Sequence, residues 1–176
     1  MEEINKIYFD INSDYKKLIN NNNLKVCVKS AFSLGAHKKF NHSISIAITT
    51  NKEMEELNFN FLKIKAPTDV LAFPFSNDWK EGKLTQSGST NHTKLNHLGD
   101  IYISFPMILE QSKFYSTGVE LELNIILAHG ILHLLGYDHK NILMESKMTQ
   151  KTVEIIKYLK LDHIKAKLSL EKRNEQ

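Results

Sequence analysis

The chain has a single cysteine in 176 residues. That excludes an internal disulfide and fits a reducing compartment; Cys27 reads as a small buried apolar residue rather than a nucleophile. Long apolar runs are missing too. No stretch approaches the roughly 20 residues needed to cross a bilayer, so no membrane role is expected. The opening residues MEEINKIYFDI are acidic at the start. They lack both the apolar core of a signal peptide and the arginine-rich, acid-poor character of a transit peptide, so a cytoplasmic chain is expected. Charge of one sign is scarce: 23 basic against 20 acidic residues leave a net +3. That permits a nucleic-acid partner without arguing for one, because segments such as KEMEE mix both signs. The length is that of one domain with a real core, and no internal repeat is present.

What is there is a mixture of strand and helix patterns. INKIYFDI (4–11), HSISIAITT (42–50), TDVLAFPF (68–75) and LGDIYIS (98–104) read as strands, with Pro74 placing part of the third at an edge. The segment 21–39 holds an amphipathic helix with Leu24, Val28, Ala31 and Phe32 on one side and Gly35 as its stop. Residues 51–64 read as a helix capped by Asn51, with acids in its first turns. Helices are also expected over 106–116, 118–136 and, as the closing element, 141–161. Residues 76–97 are polar and aperiodic, a long loop within one domain spanning 1–176, and SLEKRNEQ (169–176) reads as a frayed tail. The expectation is an α+β fold: a small mixed sheet of about four strands with packed helices, and a zinc site at the end of a central helix.

That site is marked by one presence and one absence. HGILHLLGYDH (129–139) places histidines at relative positions 0, 4 and 10 and a glycine at 7. His129 and His133 share one helix face. Gly136 can take the left-handed conformation that ends the helix, and the returning chain brings His139 to the same point. Three neutral imidazoles suit one zinc ion per chain and leave a fourth position for water, the pattern of a catalytic site. Zinc can bring that water's pKa down to about 7. No cysteine stands nearby to close a structural site. The spacing is that of zinc proteases, but Gly130 occupies the position of their catalytic glutamate. Peptide hydrolysis wants a base beside the metal that later protonates the amine. Phosphodiester cleavage leans more on charge neutralisation and in-line orientation, so the absence favours a phosphoester substrate. The other histidines, His37, His42, His92, His97 and His163, read as ordinary surface or core residues.

Residues 129–139 match HGxLHLxGYDH, the signature of the YbeY family of single-zinc rRNA endoribonucleases, throughout. PTDVLAFPF (67–75) resembles that family's PTDVLSFPF, LGDIYIS (98–104) resembles its GDIxIS strand, and Leu57-Asn58 matches its LN pair. The resemblance covers roughly residues 44–160. It implies a single-strand-specific endoribonuclease acting at the 3′ end of small-subunit rRNA and in ribosome quality control, with RNA and a ribosome or ribosomal protein as partners. It also implies His129, His133 and His139 as the zinc ligands. One departure stands out. The family arginine four residues after the LN asparagine, thought to engage phosphate, is Leu62 here. Lys63 and Lys65 are candidate replacement cations, though lysine lacks the bidentate fork. Lys80, Lys83 and Lys94 are candidate RNA contacts in the 76–97 loop, where a solvated loop is the plainer reading. Asp138 is a candidate to orient a ligand histidine. A non-catalytic ribosome-assembly factor and, behind it, a zinc metalloprotease remain as alternatives.

Overall fold

A computed structural model describes residues 4–36, 42–85 and 96–174. His37, His92 and Lys94 lie outside that set. Strands β1 (Ile4–Ile11) and β2 (His42–Thr49) are joined by helix α1 (Asn21–Gly35) and pair in parallel. Helix α2 (Asn51–Leu62) leads to β3 (Val70–Pro74), then come the short β4 (Trp79–Lys80) and β5 (Lys83–Leu84), then β6 (Asn96–Ser104). The main sheet has the order β1-β2-β6-β3, with β2 and β6 parallel and β3 antiparallel at the edge. Pro74 ends that edge strand, where a missing N–H costs no ladder bond. The expected four-stranded mixed sheet with packed helices is the observed one.

Alternation places the core. Ile44, Ile46 and Ile48 of β2 are buried, and so are their cross-strand neighbours Ile101 and Ile103 of β6. Period-two patterning turns all five to one face. Onto it pack α1, through the predicted stripe of Leu24, Val28, Ala31 and Phe32, and α4 (Val119–Leu134). Helix α4 is apolar nearly all round and buries most of its residues, as a helix flanked on several sides must. It touches α1, α3 (Phe105–Phe114), β3, β6 and the C-terminal helices. No helix of the described residues is long and apolar enough to cross a membrane.

Three local expectations are corrected. The cap of α2 is Thr50, not Asn51. The Thr50 hydroxyl accepts the Glu53 amide at 3.3 Å while the Glu53 carboxylate accepts the Thr50 amide at 3.1 Å, a capping box that satisfies two end donors at once. The segment 76–97 is not aperiodic throughout: β4 and β5 form an antiparallel hairpin, residues 96–97 open β6, and Trp79 is buried. The closing element is two helices, α5 (Ile142–Tyr158) and α6 (His163–Asn174), so residues 169–174 are helical rather than frayed. The Asp162 side chain accepts the Lys165 amide at 3.0 Å, and Ala166, Ser169 and Leu170 are buried. With Leu121, Ile125 and Ile156 the α6 residues Ala166 and Leu170 form a second apolar cluster that docks the helix onto α4 and α5.

Candidate metal centre

The centre is built on the C-terminal end of α4. One turn separates His129 from His133, and their rings lie 4.7 Å apart with Nε2 atoms at 3.1 Å. Gly136 then reverses the chain at φ 76°. Its amide reaches the His133 carbonyl at 2.9 Å and the next amide, of Tyr137, reaches the Leu132 carbonyl at 3.0 Å. This pair of bonds is the Schellman ending that a left-handed glycine permits. The reversal returns His139, whose ring lies 5.2 Å from that of His133 and 6.0 Å from that of His129. One ligand nitrogen from each histidine falls within 4.8 Å of the other two.

The hairpin holds the reversal in place. Glu81 and Gly82 donate their amides to the carbonyls of Gly136 and Leu135 at 3.1 and 2.9 Å, and the Tyr137 hydroxyl donates to the Gly35 carbonyl at 3.0 Å. A Cβ at residue 136 would lie 2.1 Å from the Trp79 carbonyl oxygen. Only glycine allows that approach.

Two of the three imidazoles, His129 and His133, are held in the form a metal ligand takes. His133 Nδ1–H donates to the Tyr137 carbonyl at 3.2 Å, which leaves the Nε2 lone pair for an ion. Burial, followed by the neighbouring His133 and His139 rings, pushes His129 down to about 3, and burial also lowers His133. Both are therefore neutral near pH 7, the form that binds metal. Two nitrogens on a tetrahedral ion with ~2.05 Å bonds stand about 3.3 Å apart, close to the observed 3.1 Å. The residues present fit a zinc-type ion bound by three nitrogens with a position left open.

The centre opens into a cleft of about 820 Å³. Leu62, half-exposed at the end of α2, lines it together with Asp69, Ile126, Asp138 and Arg173. Lys63 and Lys65 are not among its described lining residues. Lys63 takes a left-handed conformation at φ 62°, and its ammonium lies 3.2 Å from the Asn60 carbonyl and over the Phe59 ring. Asp138 acts on the His133 and His139 rings through its charge, with its described bonds made elsewhere. Its carboxylate accepts the His139 amide at 2.8 Å and pairs with the Lys140 ammonium at 2.7 Å. Lys140, against a smaller effect of burial, holds its pKa below the usual carboxylate value. The described hydrogen bond of a ligand ring to the backbone is accepted by the Tyr137 carbonyl, which a sequence motif does not display. Lys80 and Lys83 lie on the hairpin. Among the other histidines, His42 and His97 belong to the sheet, with His97 bound to Asp100 at 2.9 Å, and His163 opens α6.

Arg173 is the cleft residue that the sequence reading missed. It reaches from α6 to pair with Asp69 at 3.4 Å and with the fully buried Glu122, donates to Gln111 Oε1 at 3.1 Å, and lies 4.4 Å from the Tyr115 ring centre. The Thr117 hydroxyl completes the Glu122 shell at 2.6 Å. Ala166, Leu170 and Arg173 recur at helical spacing, and that stripe was the available signal.

An α+β domain whose central helix ends in three converging histidines inside an open cleft has the architecture of a hydrolase with a place for a metal ion. The Endoribonuclease YbeY family pattern matches residues 8–160. The Endoribonuclease YbeY of Acetivibrio thermocellus is 37% identical over 143 residues, which is 79% of this chain and 83% of its own length. That of Dehalococcoides mccartyi is 33% identical over 83% of each chain. A solution structure from Thermotoga maritima shares the fold, with a TM-score of 0.52 at 24% identity over 88% of this chain and 91% of that one. The chain belongs to the YbeY family.

Proposed function

We propose that this chain is a zinc-dependent, single-strand-specific endoribonuclease, one domain over residues 1–176, that acts in the cytoplasm on the 3′ end of small-subunit rRNA and in ribosome quality control. The observation that carries the reading is the convergence of three imidazoles, with glycine rather than a carboxylate beside the first of them on α4. Family membership supplies the RNA substrate class. His129, His133 and His139 hold the ion, the Tyr137 carbonyl fixes the His133 ring, and the hairpin clamps the turn that presents His139. When bound, zinc supplies Lewis acidity and lowers the pKa of a coordinated water. The cleft walls between Leu62 and Arg173 position the strand, and the open side leaves room for flanking nucleotides.

A protease is disfavoured by the place of Gly130. A Cβ there would meet Val70 Cγ2 at 3.2 Å and Ile101 Cδ1 at 3.3 Å. The direction in which a glutamate would leave the helix is filled by the sheet. A ribosome-assembly factor with little catalysis is the second reading, favoured by the state of the cations. Leu62 carries no charge, Lys63 and Lys65 stand outside the described cleft lining, and Arg173 is already paired with Asp69 and Glu122.

The test combines elemental analysis with cleavage of single- and double-stranded RNA by intact, metal-free and His133→Ala protein. The expected result is one zinc per chain, cleavage of the single strand only, and loss of both metal and cleavage in the variant. Stoichiometric zinc with no cleavage of any RNA selects the assembly-factor reading. Full zinc retention by His133→Ala refutes the ligand assignment.

A further inference from the structure

The edge strand β3 has two different sides. Val70 and Ala72 pair with Ile103 and Ile101 and face α4. Phe73 and Phe75 point the opposite way, because strand side chains alternate. On that outer face the Phe73 ring lies 4.6 Å from Phe61 of α2 and 5.9 Å from Tyr102 of β6, and the Phe75 ring lies 5.9 Å from His97. Two of the rings are open to solvent, Phe75 at 75% and Phe61 at 62% exposed, with Phe73 and Tyr102 half-buried between them. Burial of such rings is a normal driving force of folding, so a row left outside is a surface awaiting contact.

We propose that this face is a stacking track for single-stranded RNA bases flanking the cleaved bond. The inference deepens the nuclease reading and rests on it for the identity of the strand. Three observations select RNA over a protein partner. The most exposed groups of the row are the flat rings of Phe61 and Phe75, which accept a base of any sequence, while Asp100, opposite Phe73, is bound to His97 at 2.9 Å. Exposed cations follow Phe61 closely in the chain, Lys63 at two residues and Lys65 at four, and a phosphate backbone beside stacked bases needs such charges. The face is also continuous with the cleft: Phe61 belongs to the row, and the next residue, Leu62, lines the metal site. A strand crossing the β3 edge engages both at once. A duplex keeps its base faces stacked on each other and cannot use the row, which gives the chain a physical basis for preferring single strands.

The test is binding of a fluorescent 2′-O-methyl oligouridylate of about twelve nucleotides to zinc-loaded protein by anisotropy, with the oligonucleotide checked for intactness by gel after each titration. Phe75→Ala and Phe61→Ala are expected each to weaken binding roughly 5- to 100-fold. Phe75→Tyr is expected to stay near the parent, and Lys63→Ala to reduce the slope of log affinity against log salt by about one. Both rings are exposed, so thermal melting of the alanine variants is expected to match the parent. Parent-like affinity in both stable alanine variants overturns the proposal, as does failure of the parent to bind. So does self-association that Phe75→Ala abolishes while RNA affinity stays unchanged, which assigns the face to a second copy of the chain. Cleavage is scored separately. A parent that cuts RNA while the ring variants bind normally leaves the nuclease reading standing without the track. A parent that binds through the rings but cuts nothing keeps the track and removes the nuclease.

Discussion

Gly136→Ala tests how the metal centre is held together. The substitution adds one carbon, which in the observed backbone would sit 2.1 Å from the Trp79 carbonyl oxygen, 2.4 Å from its carbon and 2.8 Å from Lys80 Cα. Ordinary contact needs about 3.5 Å, so the turn and the hairpin must separate by more than about 1 Å. Placing a Cβ at positive φ costs about 1–2 kcal/mol by itself. Separation also breaks the two amide bonds from Glu81 and Gly82, each worth about 0.5–1.5 kcal/mol net. The sum is roughly 2–5 kcal/mol of stability. The same movement displaces His139 by several times the ~0.2 Å tolerance of a metal bond, so zinc affinity is expected to fall about 10- to 100-fold although all three ligands remain. Urea unfolding and competition with a chromophoric chelator read the two effects. Gly118→Ala is the control, because Gly118 also has positive φ, 83°, but nothing lies within 4 Å of its added carbon. With ψ at 151° it lies in a region that is essentially glycine-only, so it is expected to lose only the backbone part, about 1–3 kcal/mol, and no zinc affinity. If Gly136→Ala costs no more than Gly118→Ala and binds zinc like the parent, the hairpin does not clamp the site.

The other predictions concern the cleft wall and the core. Leu62→Arg puts a guanidinium where the family carries one. A well-placed cation is worth about 2–4 kcal/mol to a developing phosphorane, and half-exposure cuts that to roughly 5- to 30-fold in single-turnover RNA cleavage relative to Leu62→Met. Equal rates in two variants of parent-like melting temperature sink it. Arg173→Met leaves Glu122 buried with one partner fewer, and urea unfolding is expected to show a loss of about 3–5 kcal/mol. Most of that loss is expected to return in the double variant that also carries Glu122→Gln, and a single variant within 1 kcal/mol of the parent contradicts the paired-charge account. Burial pushes the Cys27 thiol up to about 12, so alkylation at pH 8 is expected only as fast as the chain unfolds. The folded state keeps a proton that the unfolded chain releases above about pH 8.5, so stability falls as pH rises from there towards 12, and Cys27→Ala is expected to show a shallower fall. A parallel pH dependence of the two proteins would refute this.

The legible parts of the chain were those where local pattern and tertiary role coincide. Ile44, Ile46 and Ile48 alternate because one face of β2 is buried, and that signal needs no knowledge of what covers it. The histidine set was legible because helical spacing and one glycine fix three directions at once. The hairpin was not. Its turn residues Glu81 and Gly82 both have positive φ, 47° and 76°, a conformation that asparagine-glycine usually announces. Here glutamate takes the first place, and bonds to the end of α4 hold it there. Helix α6 was missed for a related reason. Its inward stripe is a small residue, a serine, a leucine and an arginine, so composition reads as polar even though Arg173 reaches a buried carboxylate. Lys63 ends α2 in a left-handed conformation, which no residue count reveals.

Gly130 links the fold to the chemistry more closely than a missing base would suggest. Position 130 is one step of about 100° around α4 from His129, and in this packing that step points at the sheet. Val70 and Ile101 stand within 3.3 Å of the carbon a side chain would begin with. A glutamate would need its carboxylate buried among apolar atoms at a cost of several kcal/mol, or the helix drawn back from β3 and β6. Drawing the helix back would move His129 and His133 as well. In this fold a glutamate at position 130 is therefore opposed by the packing of α4 on the sheet, and not only absent from the sequence. A close helix leaves no room for a base at this position. It also brings the β3 edge, with its aromatic outer face, up against the metal centre, where a single strand can be held on one side and cut on the other.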